Sequence, residues 1–231
     1  VDALEKSTGT AQFGIDADIP GMVYAVVARP PVAGAKPIRV EREHALTMPG
    51  IIAVIDISSG VAVVAERYWY AQQGAKALHI EWEQMPLESV DSASVKADLA
   101  AALEGDDVIE ATNEGDMEAG FKAAKHQHTS DYYAPFLAHA PLEPVNATLR
   151  IEGERAELWT GVQSIQAAQG LVERVTGLAR GNITVHNLYL GGGFGRRGTL
   201  THIVEVAEIA LAVQKPVQVL WSRENDMQNG L

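Results

Sequence analysis

The sequence predicts a fold of the α+β class, and two features of the chain point to it. Short apolar stretches that resemble β-strands interchange with longer stretches of helical spacing in both halves of the chain. The 231 residues are 47% hydrophobic, which is enough to form a large buried core. We therefore expect a globular protein with one large or two smaller domains.

Strands and helices alternate over the first part of the chain, up to about residue 85. Apolar runs and turn residues define the boundaries of each element. In chain order the patterns predict a strand in 21–31 that ends at two prolines, a short helix and a strand in 44–58, a strand in 60–65, a helix in 66–78 and a half-buried strand in 79–84.

The composition changes between Met85 and Gly115, where serines, an acidic tract and the predicted Ala-rich helix 94–105 occur. We place a domain boundary in this stretch. Beyond it the patterns predict a helix in 117–125, strands in 126–134, 146–151 and 155–161, a helix in 164–177, a strand in 182–190, a helix in 199–213, a strand in 216–221 and the start of a last helix.

The charge and the residue types exclude several classes of partner and site. Thirty acidic residues against 18 Lys and Arg give a net charge of -12, which repels nucleic acid, although backbone amides can still bind an anionic cofactor. Without cysteine the chain has no disulfide, no thiolate metal site and no cysteine-held iron–sulfur cluster. We expect no membrane span, because no apolar run reaches about 18 residues.

A glycine-rich loop lies between a predicted strand and a predicted helix, and four of its five residues from Gly191 to Gly195 are glycine. One interpretation is a tight turn. A second is a dinucleotide-binding loop, because residues 193–198 match G-x-G-x-x-G. The alternating pattern of the preceding strand argues against this second interpretation, because the corresponding strand of such folds is apolar throughout.

The loop sequence GGGFGRR resembles the glycine loop of the molybdenum hydroxylases, the xanthine dehydrogenase and aldehyde oxidase family. Further stretches resemble that family in the expected order and extend the resemblance over essentially the whole chain. The double arginine, ARPP and AHAPLEP are most similar to the branch of isoquinoline 1-oxidoreductase beta subunits. The other matching stretches are residues 7–31, 48–57, 79–92, 133–149, 159–177 and 217–226.

The resemblance implies an a/b hammerhead domain in residues 1–88, a linker in 89–112 and the first segment of a molybdenum-cofactor-binding domain in 113–231. Because the family's catalytic Glu lies near the end of a longer subunit, we expect this chain to be a fragment that is inactive alone and holds no catalytic residue or metal ligand.

The resemblance also implies an activity and partners for the parent protein. Such enzymes hydroxylate a small molecule with oxygen from water, using molybdopterin cytosine dinucleotide with molybdenum. The expected partners are the rest of the large subunit and a separate [2Fe-2S] subunit, in a bacterial periplasm or cytoplasm. An NAD(P)-binding dehydrogenase domain and a non-catalytic assembly module are the alternative functions.

Gln163 precedes Phe194 by 31 positions, an offset that matches a Gln–Phe pair of the family. The resemblance implies that the Gln163 amide donates a hydrogen bond to an oxygen ligand of molybdenum. A primary amide suits this role because it donates without adding charge. A helix cap before the helix 164–177 is the alternative role for Gln163.

The resemblance places the backbone of Gly192, Gly193, Phe194 and Gly195 against the cofactor. Arg196, with Arg197, is expected either to face anionic cofactor groups or to pair on the surface with Glu205 or Glu208. Xanthine-oxidising relatives have Gly-Lys-Glu at residues 196–198, where this chain has Arg-Arg-Gly. The substrate expected is therefore an N-heteroaromatic compound or an aldehyde rather than a purine.

Two other groups of residues have simpler interpretations. Glu143 lies between prolines in PLEP, which suits a structural role in a turn. His126 and His128 would share one face of a strand, with His139 nearby, but no fourth zinc ligand stands out. An exposed strand face is the favoured interpretation.

Overall fold

A mixed seven-stranded sheet organises the chain in the computed structural model, which describes residues 2–107, 109–112 and 114–230. The described residues form two units: one contains the chain up to Met85 and from Ala138 onward, and the other is Pro86–Leu137. The strands are β1 (Val23–Ala28), β2 (Pro37–Glu41), β3 (Ile51–Ile57), β4 (Gly60–Ala65), β5 (His79–Trp82), β6 (Asn146–Glu152), β7 (Arg155–Thr160), β8 (Ile183–Asn187) and β9 (Val217–Leu220).

Helices pack on the sheet of the first unit, and the described part of the second unit contains two α-helices. The helices are α1 (Ala3–Thr8), α2 (Glu43–Leu46), α3 (Tyr68–Ala77), α4 (Ser92–Leu103), α5 (Met117–Ala123), α6 (Ile165–Thr176), α7 (Thr201–Val213) and α8 (Arg223–Gln228). Of the helices in the part of the chain that the structure describes, none has the length and apolar character that crossing a bilayer requires.

The large sheet has the strand order β3-β4-β1-β9-β6-β7-β8. The pairs β1–β9 and β7–β8 are parallel, and the other neighbours are antiparallel. Strand β1 contributes to the core on both faces, because successive side chains of a strand point to opposite sides. Ala25 and Val27 join the large core that includes α6 and α7, whereas Val26 packs in a smaller cluster with α3.

One sheet joins the two segments that the sequence divides between two domains. Val23 and Ala25 of β1 lie opposite Val217 and Val219 of β9 in a parallel pair. Residues before 85 and after 138 therefore share one core, while the stretch predicted to contain the boundary belongs to the second unit. The assignment of 1–88, 89–112 and 113–231 to named domains stays a prediction.

Most predicted elements are present, helix α1 was not predicted, and two strands differ from the prediction. The strand predicted in 126–134 is wrong: these residues are exposed and irregular, and the described part of their unit offers no strand to pair with. Strand β2 was not predicted, because its mostly exposed residues give no apolar pattern. It pairs with β5 in a separate two-stranded sheet.

Candidate functional site

The glycine-rich loop follows β8, at one edge of the sheet, and its backbone is left-handed at several positions. Gly192 and Gly195 have φ of 98° and 94°, and Phe194 has φ of 53°. A left-handed phenylalanine is strained, and such strain is often kept at functional sites. The Phe194 side chain is also 72% exposed, so burial in the core does not explain its conformation.

Three glycines of the loop lie against other parts of this chain. A β-carbon built on Gly191 would lie 2.5 Å from Cβ of Glu143, and one on Gly192 would lie 3.3 Å from Cβ of Pro141. A β-carbon on Gly193 would lie 3.0 Å from Oε1 of Gln163. The absence of side chains at 191 and 192 is therefore needed for internal packing, whereas a side chain at 193 would first meet the end of the exposed Gln163 side chain.

Gln163 lies beside Gly193, as its predicted pairing with the loop requires. Its backbone N–H donates to the Arg197 carbonyl at 3.3 Å. The side chain is exposed, and its amide has no hydrogen-bond partner among the described residues. The helix-cap alternative is not seen, because Ser164 occupies the N-cap of α6 and no side-chain hydrogen bond caps that end.

Arg197 is fully buried and holds the loop from inside. Its Nε donates to the Gly192 carbonyl at 2.9 Å, and its Nη1 to the Gly161 carbonyl at 3.1 Å. Its Nη2 donates to the carbonyl and to Oε2 of Glu143, at 2.8 and 2.7 Å. Burial lowers the pKa of Arg197, whereas the carboxylates of Glu143 and Asp226 raise it. An arginine with this many acceptors stays charged and fixes the loop.

Glu143 has the structural role that its sequence context predicts. Its Oε1 accepts from the backbone N–H of Ile15 at 3.0 Å and from Nδ2 of Asn146 at 2.8 Å. Its Oε2 accepts from the Gly191 N–H at 2.8 Å in addition to Arg197. This buried carboxylate links an N-terminal segment and the first residue of β6 to the glycine loop.

Arg196 is also buried, with 2% exposure. Its Nε donates to Asp226 at 3.1 Å, and its Nη1 donates to the Thr199 hydroxyl at 2.7 Å. Its guanidinium carbon lies 4.7 Å from the ring centroid of Trp221. The predicted surface pairing of Arg196 with Glu205 or Glu208 is therefore wrong, because Arg196 pairs with the buried carboxylate of Asp226 on α8.

Glu205 instead belongs to a buried cluster that the sequence did not indicate. It accepts from Nη2 of Arg29 at 2.6 and 2.7 Å and from Nε1 of Trp221 at 2.8 Å. Arg29 lies over the Trp221 ring at 3.6 Å from its centroid, so the ring contacts both Arg29 and Arg196. The cluster connects Arg29, just after β1, to α7 and to the segment between β9 and α8.

His202 on α7 is a buried base close to these arginines. Burial, followed by the charges of Arg197, Arg196 and Arg29, lowers the pKa of His202 to about 3. Neither ring nitrogen has a hydrogen-bond partner in the described chain. The imidazole is therefore neutral at physiological pH and adds no positive charge beside the buried arginines.

The three histidines considered as a zinc site do not belong to the same unit of the structure. His126 and His128 are exposed residues of the second unit, whereas His139 belongs to the first. Among the described residues, no group of three or more His, Asp or Glu side chains is suited to a metal ion. His139 lies at the glycine loop, a position that its sequence context did not indicate.

The glycine loop and Gln163 form an open surface, and buried side chains fix the loop backbone from below. Gln163, Phe194 and Gly195 are exposed on it, whereas Arg196, Arg197 and Glu143 are buried and paired. Such a surface can bind and orient a large flat group through one amide and close-lying backbone. The mixed strand order also differs from the parallel sheet of a dinucleotide-binding fold, which argues against the NAD(P) alternative.

Known proteins resemble the chain over nearly all its length. It is 33% identical to the isoquinoline 1-oxidoreductase beta chain of Brevundimonas diminuta and 25% identical to a component of the nicotinate dehydrogenase of Pseudomonas putida, in each case over 98% of this chain. It spans 30% and 20% of the lengths of these two relatives.

The fold also matches a solved structure. Quinoline 2-oxidoreductase from Pseudomonas putida 86 superposes with a TM-score of 0.76 at 19% identity, over 97% of this chain and 34% of that one. Residues 102–230 match the model of the molybdopterin cofactor-binding domain, a stretch that includes Gln163 and the whole glycine loop. The chain therefore belongs to the molybdopterin cofactor-binding domain family of the molybdenum hydroxylases.

Proposed function

We propose that the chain is part of a molybdenum hydroxylase large subunit and presents one face of the cofactor site. The observation that carries the proposal is the exposed Gln163 amide, which has no partner in the described chain and lies beside Gly193. A polar group of this kind at a strained loop suits a ligand better than a packing role. The match of residues 102–230 to a molybdopterin-binding family supports the same assignment.

The residues of the loop fit a metal–pterin group. When bound, molybdenum with its pterin supplies the two-electron redox chemistry. Gln163 would donate a hydrogen bond to the group, and the backbone from Gly192 to Gly195 would lie against it. Beyond chain neighbours, a β-carbon on Gly195 would have one atom within 4 Å, so the space above this residue is open.

Arg196 supports this surface from the interior. Its Nε and Nη1 are engaged by Asp226 and Thr199, and Nη2 is buried without a partner in the described chain. We assign it to the cofactor-binding set because it fixes the backbone after Gly195. Its Nη2 is enclosed by the chain, so the proposed role of Arg196 is to position the loop backbone from the interior.

The proposed substrate is an N-heteroaromatic compound or an aldehyde, oxidised with oxygen from water. Gly198 stands where xanthine-oxidising relatives have the Glu of Gly-Lys-Glu; Arg197, which stands at the Lys position, is buried under the loop and bonded to Glu143. It is thus unsuited to contact a substrate. The names of two relatives refer to isoquinoline and nicotinate, both N-heteroaromatic compounds.

The rest of the proposed enzyme lies outside this chain. We assign 1–88 to a hammerhead domain, 89–112 to a linker and 113–231 to the first segment of the cofactor-binding domain. The cofactor is molybdopterin cytosine dinucleotide, electrons leave through a [2Fe-2S] subunit, and the base comes from the remainder of the large subunit. An absence of cysteine in this chain agrees with a cluster on another subunit.

Elemental analysis of the purified gene product that contains these residues tests the proposal. About one molybdenum per protomer, together with oxidation of isoquinoline or an aromatic aldehyde, is the expected result. Quenching of NADH fluorescence without bound molybdenum would instead favour the dehydrogenase alternative.

A further inference from the structure

The segment from His139 to Glu143 runs along the glycine loop and makes contact with it at successive positions. The Glu143 N–H donates to the Gly191 carbonyl at 3.0 Å. Cβ of Pro141 would lie 3.3 Å from a β-carbon built on Gly192, and Nε2 of His139 would lie 3.8 Å from one built on Gly195. The segment therefore forms a wall beside the proposed cofactor surface.

This wall is held in place by a specific set of contacts. Nη2 of Arg223 donates to the carbonyls of Pro141 and Leu142 at 2.6 and 2.9 Å. Ala140 has a left-handed backbone with φ of 42°, which is unfavourable for a residue with a side chain. The fold keeps this strain next to His139, as it does at Phe194 across the loop.

The imidazole of His139 is available to a ligand. It is half-buried, and neither ring nitrogen has a hydrogen-bond partner among the described residues. Nε2 is the one atom that a β-carbon on Gly195 would meet within 4 Å, chain neighbours aside. The ring thus borders the open space above Gly195, on the wall formed by its own segment.

We propose that His139 is a further cofactor-positioning residue, with Nε2 donating a hydrogen bond to an oxygen at the edge of the metal–pterin group that lies on Gly195. This inference rests on the function proposed above. An imidazole N–H suits an oxygen acceptor, and its attachment to a fixed wall keeps the donor in one place. Together with the Gln163 amide, it would orient the group through two side-chain donors.

Two substitutions in the full gene product test this role. His139→Ala removes the donor, whereas His139→Gln returns an N–H on a side chain of comparable reach. His79→Ala is the matched control, because His79 is an exposed histidine on the separate two-stranded sheet. For each protein we would measure bound molybdenum, bound pterin, the Mo(V) electron paramagnetic resonance spectrum and the thermal unfolding midpoint.

We expect His139→Ala to bind molybdenum about tenfold more weakly or to shift the Mo(V) spectrum, with an unfolding midpoint like that of the parent. His139→Gln should recover most of the loss, and His79→Ala should match the parent. Unchanged molybdenum and an unchanged spectrum in His139→Ala would overturn the inference while leaving the proposed function intact. A parent protein without molybdenum would refute both.

Discussion

Arg197 and Glu143 form a buried ion pair, with 2.7 Å between Nη2 and Oε2, that joins the glycine loop to the segment before β6. Both partners also bind loop backbone, since Arg197 donates to the Gly192 carbonyl and Glu143 accepts from the Gly191 N–H. The pair thus determines where the backbone of the proposed cofactor surface lies.

Glu143→Ala should destabilise the protein strongly, because it leaves the Arg197 charge buried without its carboxylate. Breaking one side of a buried pair costs about 3–5 kcal/mol. The measurement is the free energy of unfolding in urea. Glu118→Ala is the control, because Glu118 pairs with Lys122 on the exposed face of α5 and should change little. Equal effects of the two substitutions would contradict the structural role of Glu143.

Gly191→Ala should lower the thermal unfolding midpoint, because its β-carbon would lie 2.5 Å from Cβ of Glu143. Overpacking of this kind costs about 1–3 kcal/mol. Gly198→Ala is the matched control, since a β-carbon there meets nothing within 4 Å and its φ is not left-handed. Calorimetry of both variants checks the prediction, and a midpoint of Gly191→Ala as high as that of Gly198→Ala would refute it.

His202 should make the protein less stable as the pH falls. Its pKa of about 3 in the fold lies below the ordinary value of about 6.5, which we expect for the unfolded chain. Between these values the unfolded state binds a proton that the folded state does not, so stability is lost as the pH decreases, by up to about 1.4 kcal/mol per pH unit.

Urea unfolding of the parent and of His202→Leu, at pH 7.5 and pH 5, isolates this contribution. The leucine variant should lose less stability between the two pH values, because other titrating groups are common to both proteins. An identical pH dependence in the two proteins would contradict the assignment.

Gln163→Ala should reduce bound molybdenum about tenfold without changing the unfolding midpoint, because the exposed amide makes no hydrogen bond within the described chain. Gln166→Ala is the control, since Gln166 is an exposed glutamine on the adjoining helix α6. Molybdenum per protomer and the thermal midpoint of the full gene product are the two measurements. A fall in stability with unchanged molybdenum would assign Gln163 a packing role.

The elements of the sheet could be predicted from local pattern, because strands such as β4 are continuous apolar runs rich in valine. It could not be predicted that both segments of the chain contribute to one seven-stranded sheet, because Val23 and Val217, which pair in it, lie far apart in the sequence. The proximity of Gln163 and the loop followed from family resemblance rather than from any local signal.

The buried arginines were predicted least well. Arginine is mostly exposed in proteins, and RR after a glycine loop gives no sign that both side chains turn inward. Their acceptors, among them Asp226 and Glu143, come from segments that only the tertiary fold brings close. The position of His139 next to Gly195 depends on the same long-range packing.

Anomalous diffraction at the molybdenum edge, from crystals of the full gene product, tests the central claim most directly. The predicted result is a single peak on the exposed side of the glycine loop, adjacent to the Gln163 amide and to Gly195. A peak located elsewhere, with protein side chains filling the space between Gln163 and Gly195, would contradict the account.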